Sequence, residues 1–177
     1  MLHFRPIPFF GAVAALLLTG CYDSRFGEPD DDGEGKPATE TIAALRDRFA
    51  PNAAIHVDGV QGFLRVPLNF NALKIQSYAF SGHKIHASKG IGGLIFRKDH
   101  KLSPIVFGGG QEDNLRSGTE NVPGVMGLAA ALKESCAHLA ENAAKVSALR
   151  DRLIAGLSKI PHSVLNGDPV HRLPGNV

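Results

Sequence analysis

Three short β-rich runs constrain this chain more than any other feature: 54–60 (AIHVDGV), 77–80 (SYAF) and 93–97 (GLIFR), joined by polar or glycine-rich connections. Runs this short are buried only when neighbouring strands pair with them and helices cover them, which is the pattern of an α/β domain. Helical patterns flank them. Residues 39–49 (TETIAALRDRF) begin with a capping threonine and space Ile42, Leu45 and Phe49 along one face, and Pro51-Asn52 ends the run. Residues 102–121 carry Gly108-Gly109-Gly110 and read as loop with a short strand. From Pro123 onward Val125, Leu132, Leu139, Val146, Leu153 and Ile160 recur every seventh residue, beside Leu128, Ala129, Ala143 and Leu149. Ser135, Asn142 and Gly156 interrupt the second row that a coiled coil needs. The expectation is therefore one long amphipathic helix, or two in line, packed on a domain. Asn166-Gly167-Asp168 reads as a turn.

The composition suits a globular domain. The 177 residues are 44% hydrophobic and 20% charged, enough for a sizeable core. Nineteen Lys+Arg against seventeen Asp+Glu leave a formal charge of +2, which is no basic stripe for a nucleic acid. Cys21 and Cys136 form no zinc-binding spacing, so no metal site is expected, and Cys136 reads as a small core residue. Residues 1–36 differ from the rest. An apolar run at 9–18 (FFGAVAALLL) is too short to span a bilayer and has the shape of a signal-peptide core. It ends in Leu18-Thr19-Gly20-Cys21, which resembles a bacterial lipobox whose cysteine is lipidated; the alternative is a non-native leader. An acidic linker, 23–35, follows. The expected organisation is a leader and linker at 1–36, part of an α/β domain at 37–122, and a long helix leading into a further domain at 123–177.

Two polar groups stand where chemistry is expected. The run at 77–80 ends directly in Ser81-Gly82-His83-Lys84, and a glycine-rich turn leads into the next strand. Ligand crevices of open α/β sheets lie outside the carboxyl ends of the strands. A hydroxyl, an imidazole and an ammonium group within four residues suit an anion, and a lysine can also form a Schiff base with a carbonyl. Asp58 sits among apolar Ile55, Val57 and Val60, where a carboxylate needs a partner such as a protonated ring nitrogen. Taken singly, Asp58 also reads as a strand-end carboxylate and Lys84 as an exposed loop lysine.

Four motifs together are far more specific. His56-Val57-Asp58-Gly59-Val60-Gln61, Ser81-Gly82-His83-Lys84, Gly108-Gly109-Gly110-Gln111-Glu112 and Arg116-Ser117-Gly118-Thr119-Glu120-Asn121, in this order and spacing, resemble the cysteine desulfurases. These are class V aminotransferase-like enzymes of fold type I that depend on pyridoxal 5'-phosphate. The similarity runs from about Ala38 to Val177. It implies an α/β fold: part of the fold type I large domain, with a mostly parallel sheet, and a long helix leading to the start of the small domain. By the same resemblance Lys84 is the catalytic lysine that holds the cofactor and moves protons at the substrate α-carbon. Asp58 pairs with the pyridine nitrogen, and Gln61 donates to the phenolic oxygen. Ser81 and His83 bind the phosphate, and Thr119 reaches the phosphate of the neighbouring subunit in a homodimer. The implied reaction takes sulfur from L-cysteine or a related amino acid, leaving alanine and an enzyme persulfide. The sulfur then passes to an acceptor protein and to iron-sulfur clusters.

The resemblance also implies segments that these 177 residues do not contain. Upstream these are a ring-stacking histidine, a ring-contacting asparagine, an Asn-Asn-Glu-like motif and a Gly-Thr turn; past Val177 they are the loop cysteine that accepts sulfur and the arginine that binds the substrate carboxylate. The chain is therefore expected to be a fragment, with an unpaired sheet edge and an uncovered apolar face. Three readings follow: a cysteine desulfurase represented by part of its length, a catalytically inactive remnant or interaction module, and an exported lipoprotein carrying this domain. The expected compartment is the cytoplasm, with membrane anchoring through Cys21 as the alternative.

Overall fold

The computed structural model describes residues 38–71 and 74–177. The leader, its Cys21 and the acidic linker lie outside the described residues. The elements in chain order are α1 (Ala38–Phe49), β1 (His56–Asp58), β2 (Ser77–Ser81), a 3-10 turn (Gly82–Ile85), β3 (Gly92–Phe96), α2 (Gln111–Asn114), α3 (Val122–Ala137) and α4 (Leu139–Leu157). The three expected strands form within a residue or two of their β-rich runs, in one sheet of order β1-β2-β3. β1 and β2 are parallel, with Asp58 opposite Ala79; β3 is antiparallel to β2, with Ile95 opposite Tyr78. An antiparallel edge on an otherwise parallel sheet is common in large α/β folds. β1 is shorter than its run because the chain turns at Gly59, whose amide still donates to Ala79 O at 2.8 Å.

Side chains alternate across this sheet. Val57, Tyr78 and Phe80 share the closed face, and each is less than a tenth exposed. Phe63 covers it, stacked on Phe80 at 4.2 Å between ring centroids. Ile55, Ile75, Ile85 and Leu128 complete the core, which joins the sheet to the 3-10 turn and α3. The opposite face carries His56, Asp58, Ser77, Ala79 and Ser81. Leu94 and Phe96 of β3 lie beside them, and Ser77 apart this face is only half-buried.

Three packing expectations are corrected. α1 forms over the expected range and packs Ile42 on the core beside buried Ala43 and Arg46, while Leu45 and Phe49 face solvent at 38% and 68% exposure. Arg46 lies inward and reaches Lys74 O, and Phe49 is capped from outside by the Arg48 guanidinium at 4.8 Å. The long helix is two helices in line, broken at His138. α3 packs on the 3-10 turn through Leu128, but α4 buries no residue, and its Leu149, Leu153 and Leu157 are 50%, 51% and 40% exposed. The second half of the heptad row is therefore largely exposed, with Gly175 of the closing loop beside Val146. Cys136 is exposed and free near the carboxyl end of α3, not a buried core residue.

The 102–121 stretch holds no strand beyond a single bridge between Val106 and Arg116. α2 is one irregular turn with left-handed Glu112, Asp113 and Asn114. After α4, Arg150 donates to Leu173 O and Arg172 to Asn166 O and Asp168 O, which ties the last residues into a loop with Pro174 buried. The expected turn at Asn166-Gly167-Asp168 is present, with left-handed Gly167. No helix among the described residues is long and apolar enough to cross a membrane.

Candidate active site

The carboxyl ends of the parallel strands β1 and β2 lie side by side, so Asp58 and Ser81 emerge at one edge of the open sheet face. One oxygen of the half-buried Asp58 carboxylate, Oδ1, accepts from Val60 N at 3.1 Å, which closes the turn after β1. Gln61 follows on that turn with its side chain exposed.

β2 runs without a break into the 3-10 turn. Gly82 is required there, because a Cβ would come within 2.8 Å of Ile91 Cγ2 and 3.0 Å of Ile91 O. Its amide donates to Ile91 O at 2.9 Å, and its carbonyl accepts from Ala87 N, so the turn is clamped to the strand that follows. The turn leaves through left-handed His86. Ser81 precedes the turn but does not cap it. Its Oγ instead hydrogen-bonds His83 Nδ1 at 2.7 Å. Lys84 is half-buried, and its carbonyl accepts from Arg65 Nη2 at 3.3 Å.

Ser81 and His83 line an open cavity of about 510 Å³ together with Lys89, Gly90, Ile91 and Gly92. Gly92 is obligatory at this wall, since a Cβ would come within 2.6 Å of Phe80 O. Lys89 was not singled out from sequence. A cation one residue before the left-handed Gly90 and facing a serine-histidine pair is the signal that could have found it. A hydroxyl, an imidazole and an ammonium group around one open cavity form a donor set for a phosphate-sized anion.

His56 lies two residues before Asp58 on the same sheet face, with Nδ1 2.8 Å from Ser77 Oγ. Burial lowers its pKa from the usual 6.5, against a smaller raising effect of the Asp58 charge, and nearby His100 lowers it further. It is therefore a neutral imidazole beside Asp58 at neutral pH. Ser77 is 1% exposed and fixes the ring.

The structure brings Ser81 and His83 into direct contact, places Lys84 on the same turn, and puts Asp58 on the neighbouring strand end. Thr119 stands apart. It is exposed on the 108–121 loop, whose hydrogen bonds run internally, Ser117 Oγ to Gly109 O at 2.8 Å and Gly118 N to Gln111 Oε1 at 3.1 Å. The loop leads into α3, capped by Asn121 Oδ1 accepting from Gly124 N at 3.0 Å.

Comparison with known proteins shows the family. Residues 32–177 match the aminotransferase class-V family. A cysteine desulfurase of Trichormus azollae is 46% identical over 146 residues, 82% of this chain and 36% of that relative. Cysteine desulfurase IscS of Methanosarcina thermophila is 45% identical over 122 residues, 69% of this chain and 30% of that relative. Among solved structures, a NifS-like protein from Rickettsia africae superposes with a TM-score of 0.72 at 35% identity, over 77% of this chain and 37% of that one. DndA from Streptomyces lividans superposes with a TM-score of 0.65 at 41% identity, over 77% of this chain and 39% of that one. The chain spans about a third of the length of the curated relatives it matches. The family depends on pyridoxal 5'-phosphate, and the strands, turn and helix described above form part of its fold type I architecture. The chain belongs to the aminotransferase class-V family, within a set of relatives named cysteine desulfurases.

Proposed function

We propose that this chain carries the cofactor-anchoring region of a pyridoxal-phosphate-dependent cysteine desulfurase, acting on L-cysteine or a related amino acid. One observation carries the reading: a serine-histidine pair in direct contact lines an open cavity just past the end of β2, with a lysine on the same turn and an aspartate at the end of the paired parallel strand. When bound, pyridoxal phosphate supplies an electron sink for a carbanion at the substrate α-carbon. The chain's own residues do the rest. Ser81, His83 and Lys89 would hold the phosphate dianion, and Asp58 would favour a protonated pyridine nitrogen. Gln61 would donate to the phenolic oxygen. Lys84 would hold the cofactor and serve as the proton carrier at the substrate α-carbon.

Thr119 serves the phosphate of a neighbouring subunit in a homodimer, a role that suits its exposure away from Ser81. Sulfur is delivered to an acceptor protein for iron-sulfur cluster assembly. We place the chain in the cytoplasm; membrane anchoring through lipidated Cys21 is the competing reading, and intact-mass measurement of the purified chain separates the two. An interaction module without turnover is favoured by one feature, the exposed apolar stripe of α4.

Titrating the purified chain with pyridoxal phosphate and recording its absorbance tests the reading. A visible band should form with the wild type and not with Lys84→Ala. No spectral change with either chain would exclude cofactor anchoring by this polypeptide.

A further inference from the structure

Beneath the turn that carries Asp58 and Gln61 lies an aromatic ring outside every site motif. Tyr78 is central in β2, 4% exposed, paired with Val57 on one side and Ile95 on the other. Its ring passes under the end of β1, and its hydroxyl donates to Gly59 O at 3.3 Å. The same carbonyl accepts from Gly62 N at 3.0 Å and Phe63 N at 2.7 Å, so three donors converge on one oxygen. Gly59 and Tyr78 also exclude each other's alternatives. A Cβ on residue 59 would overlap Cζ, Cε1 and the hydroxyl of Tyr78, whose buried ring has nowhere to move. Residue 59 is therefore glycine for space, since its φ is not of the left-handed kind.

We infer that Tyr78 is a positioning residue for the cofactor-ring end of the site, locked against Gly59 so that the turn presents Asp58 and Gln61 in one fixed arrangement. The inference rests on the assignment of Asp58 and Gln61 proposed above. The two ends of the site are held separately. Ser81 and His83 depend on the clamp between Gly82 and Ile91, whereas Asp58 and Gln61 depend on the Gly59 carbonyl. Burial, with a smaller contribution from the Asp58 charge, pushes the Tyr78 phenol up to about 12, so it remains a donor across the physiological range.

Tyr78→Phe in the full chain removes the hydroxyl and keeps the ring. Without cofactor, amide hydrogen exchange should quicken about fivefold at Gly62 and Phe63 and stay unchanged at Gly82. Binding of pyridoxal, which lacks the phosphate and reads the ring end, should weaken about fivefold. Binding of inorganic phosphate, which reads the Ser81 end, should stay the same. Unchanged exchange at Gly62 and Phe63, or equal weakening of both probes, would overturn the inference. A wild-type chain that binds neither probe overturns the cofactor reading and the positioning role with it, while exchange still decides whether Tyr78 holds the turn. The lock itself has a second check. Gly59→Ala should lower Tm, and adding Tyr78→Leu should recover part of the loss; no recovery would contradict the overlap.

Discussion

At the scale of single residues, the site is a set of side chains whose neighbours fix their roles. Asp58 is the clearest proposal, because a carboxylate beside a pyridine nitrogen would favour its protonated form. Asp58→Ala should weaken pyridoxal binding by roughly tenfold or more, and Asp58→Glu should retain most of it; equal losses would count against the pairing. His56 makes a prediction about pH. Its folded-state pKa lies below the usual 6.5, so the unfolded chain binds the proton more tightly. The stability it contributes is full above about pH 6.5 and is lost as pH falls through the lower folded value. His56→Gln, which can still hydrogen-bond Ser77, should flatten the fall in denaturation midpoint between pH 6.5 and 5. An unchanged slope would show that other groups cause it. Tyr78 titrates in the opposite sense. Its raised pKa means stability is lost as pH rises from about 10 toward about 12. These couplings were invisible in the linear sequence. His56 and Ser77 are 21 positions apart, and only the β1–β2 register makes them partners.

At the scale of elements, local chemistry was readable where it did not depend on packing. The β-rich runs, the Pro51-Asn52 break and the Ser-Gly-His-Lys turn all lie where residue preferences place them. The helix at 122–137 starts where the proline places it, with Asn121 as the cap the structure adds, and Asn121→Ala should cost about 1 kcal/mol of stability, measured by chemical denaturation. Which face of a helix is buried depends on what lies beneath it. The spacing of Ile42, Leu45 and Phe49 is regular, yet only Ile42 packs on the core, and α1 turns Ala43 and Arg46 inward beside it. Leu128 anchors α3 at 7% exposure, and Leu128→Ala should cost about 2–5 kcal/mol, whereas Leu153→Ala on exposed α4 should change stability little. Comparable losses at both positions would mean that α4 is covered in solution.

At the scale of the whole molecule, the order of four motifs carried the family assignment, and the structure shows why order matters. Asp58, Ser81, His83 and Lys84 are spread over 27 positions but fall at neighbouring strand ends because β1 and β2 run parallel and end together. Thr119 is exposed on the 108–121 loop, and a role for it at the phosphate of a neighbouring subunit stays part of the proposal. Lys89 escaped notice because it belongs to no motif and becomes significant only as a cavity wall. The central claim is that Lys84, at the end of a parallel strand, is the residue that takes the cofactor. Borohydride reduction of the chain incubated with pyridoxal phosphate, followed by peptide mass mapping, tests it most directly. The expected result is a single phosphopyridoxyl mass on the peptide containing Lys84, formed at stoichiometric cofactor and lost when Asp58 or Ser81 is replaced by alanine. Label spread over Lys89, Lys98, Lys101 and other surface lysines, with Lys84 no more modified than they are, would contradict it.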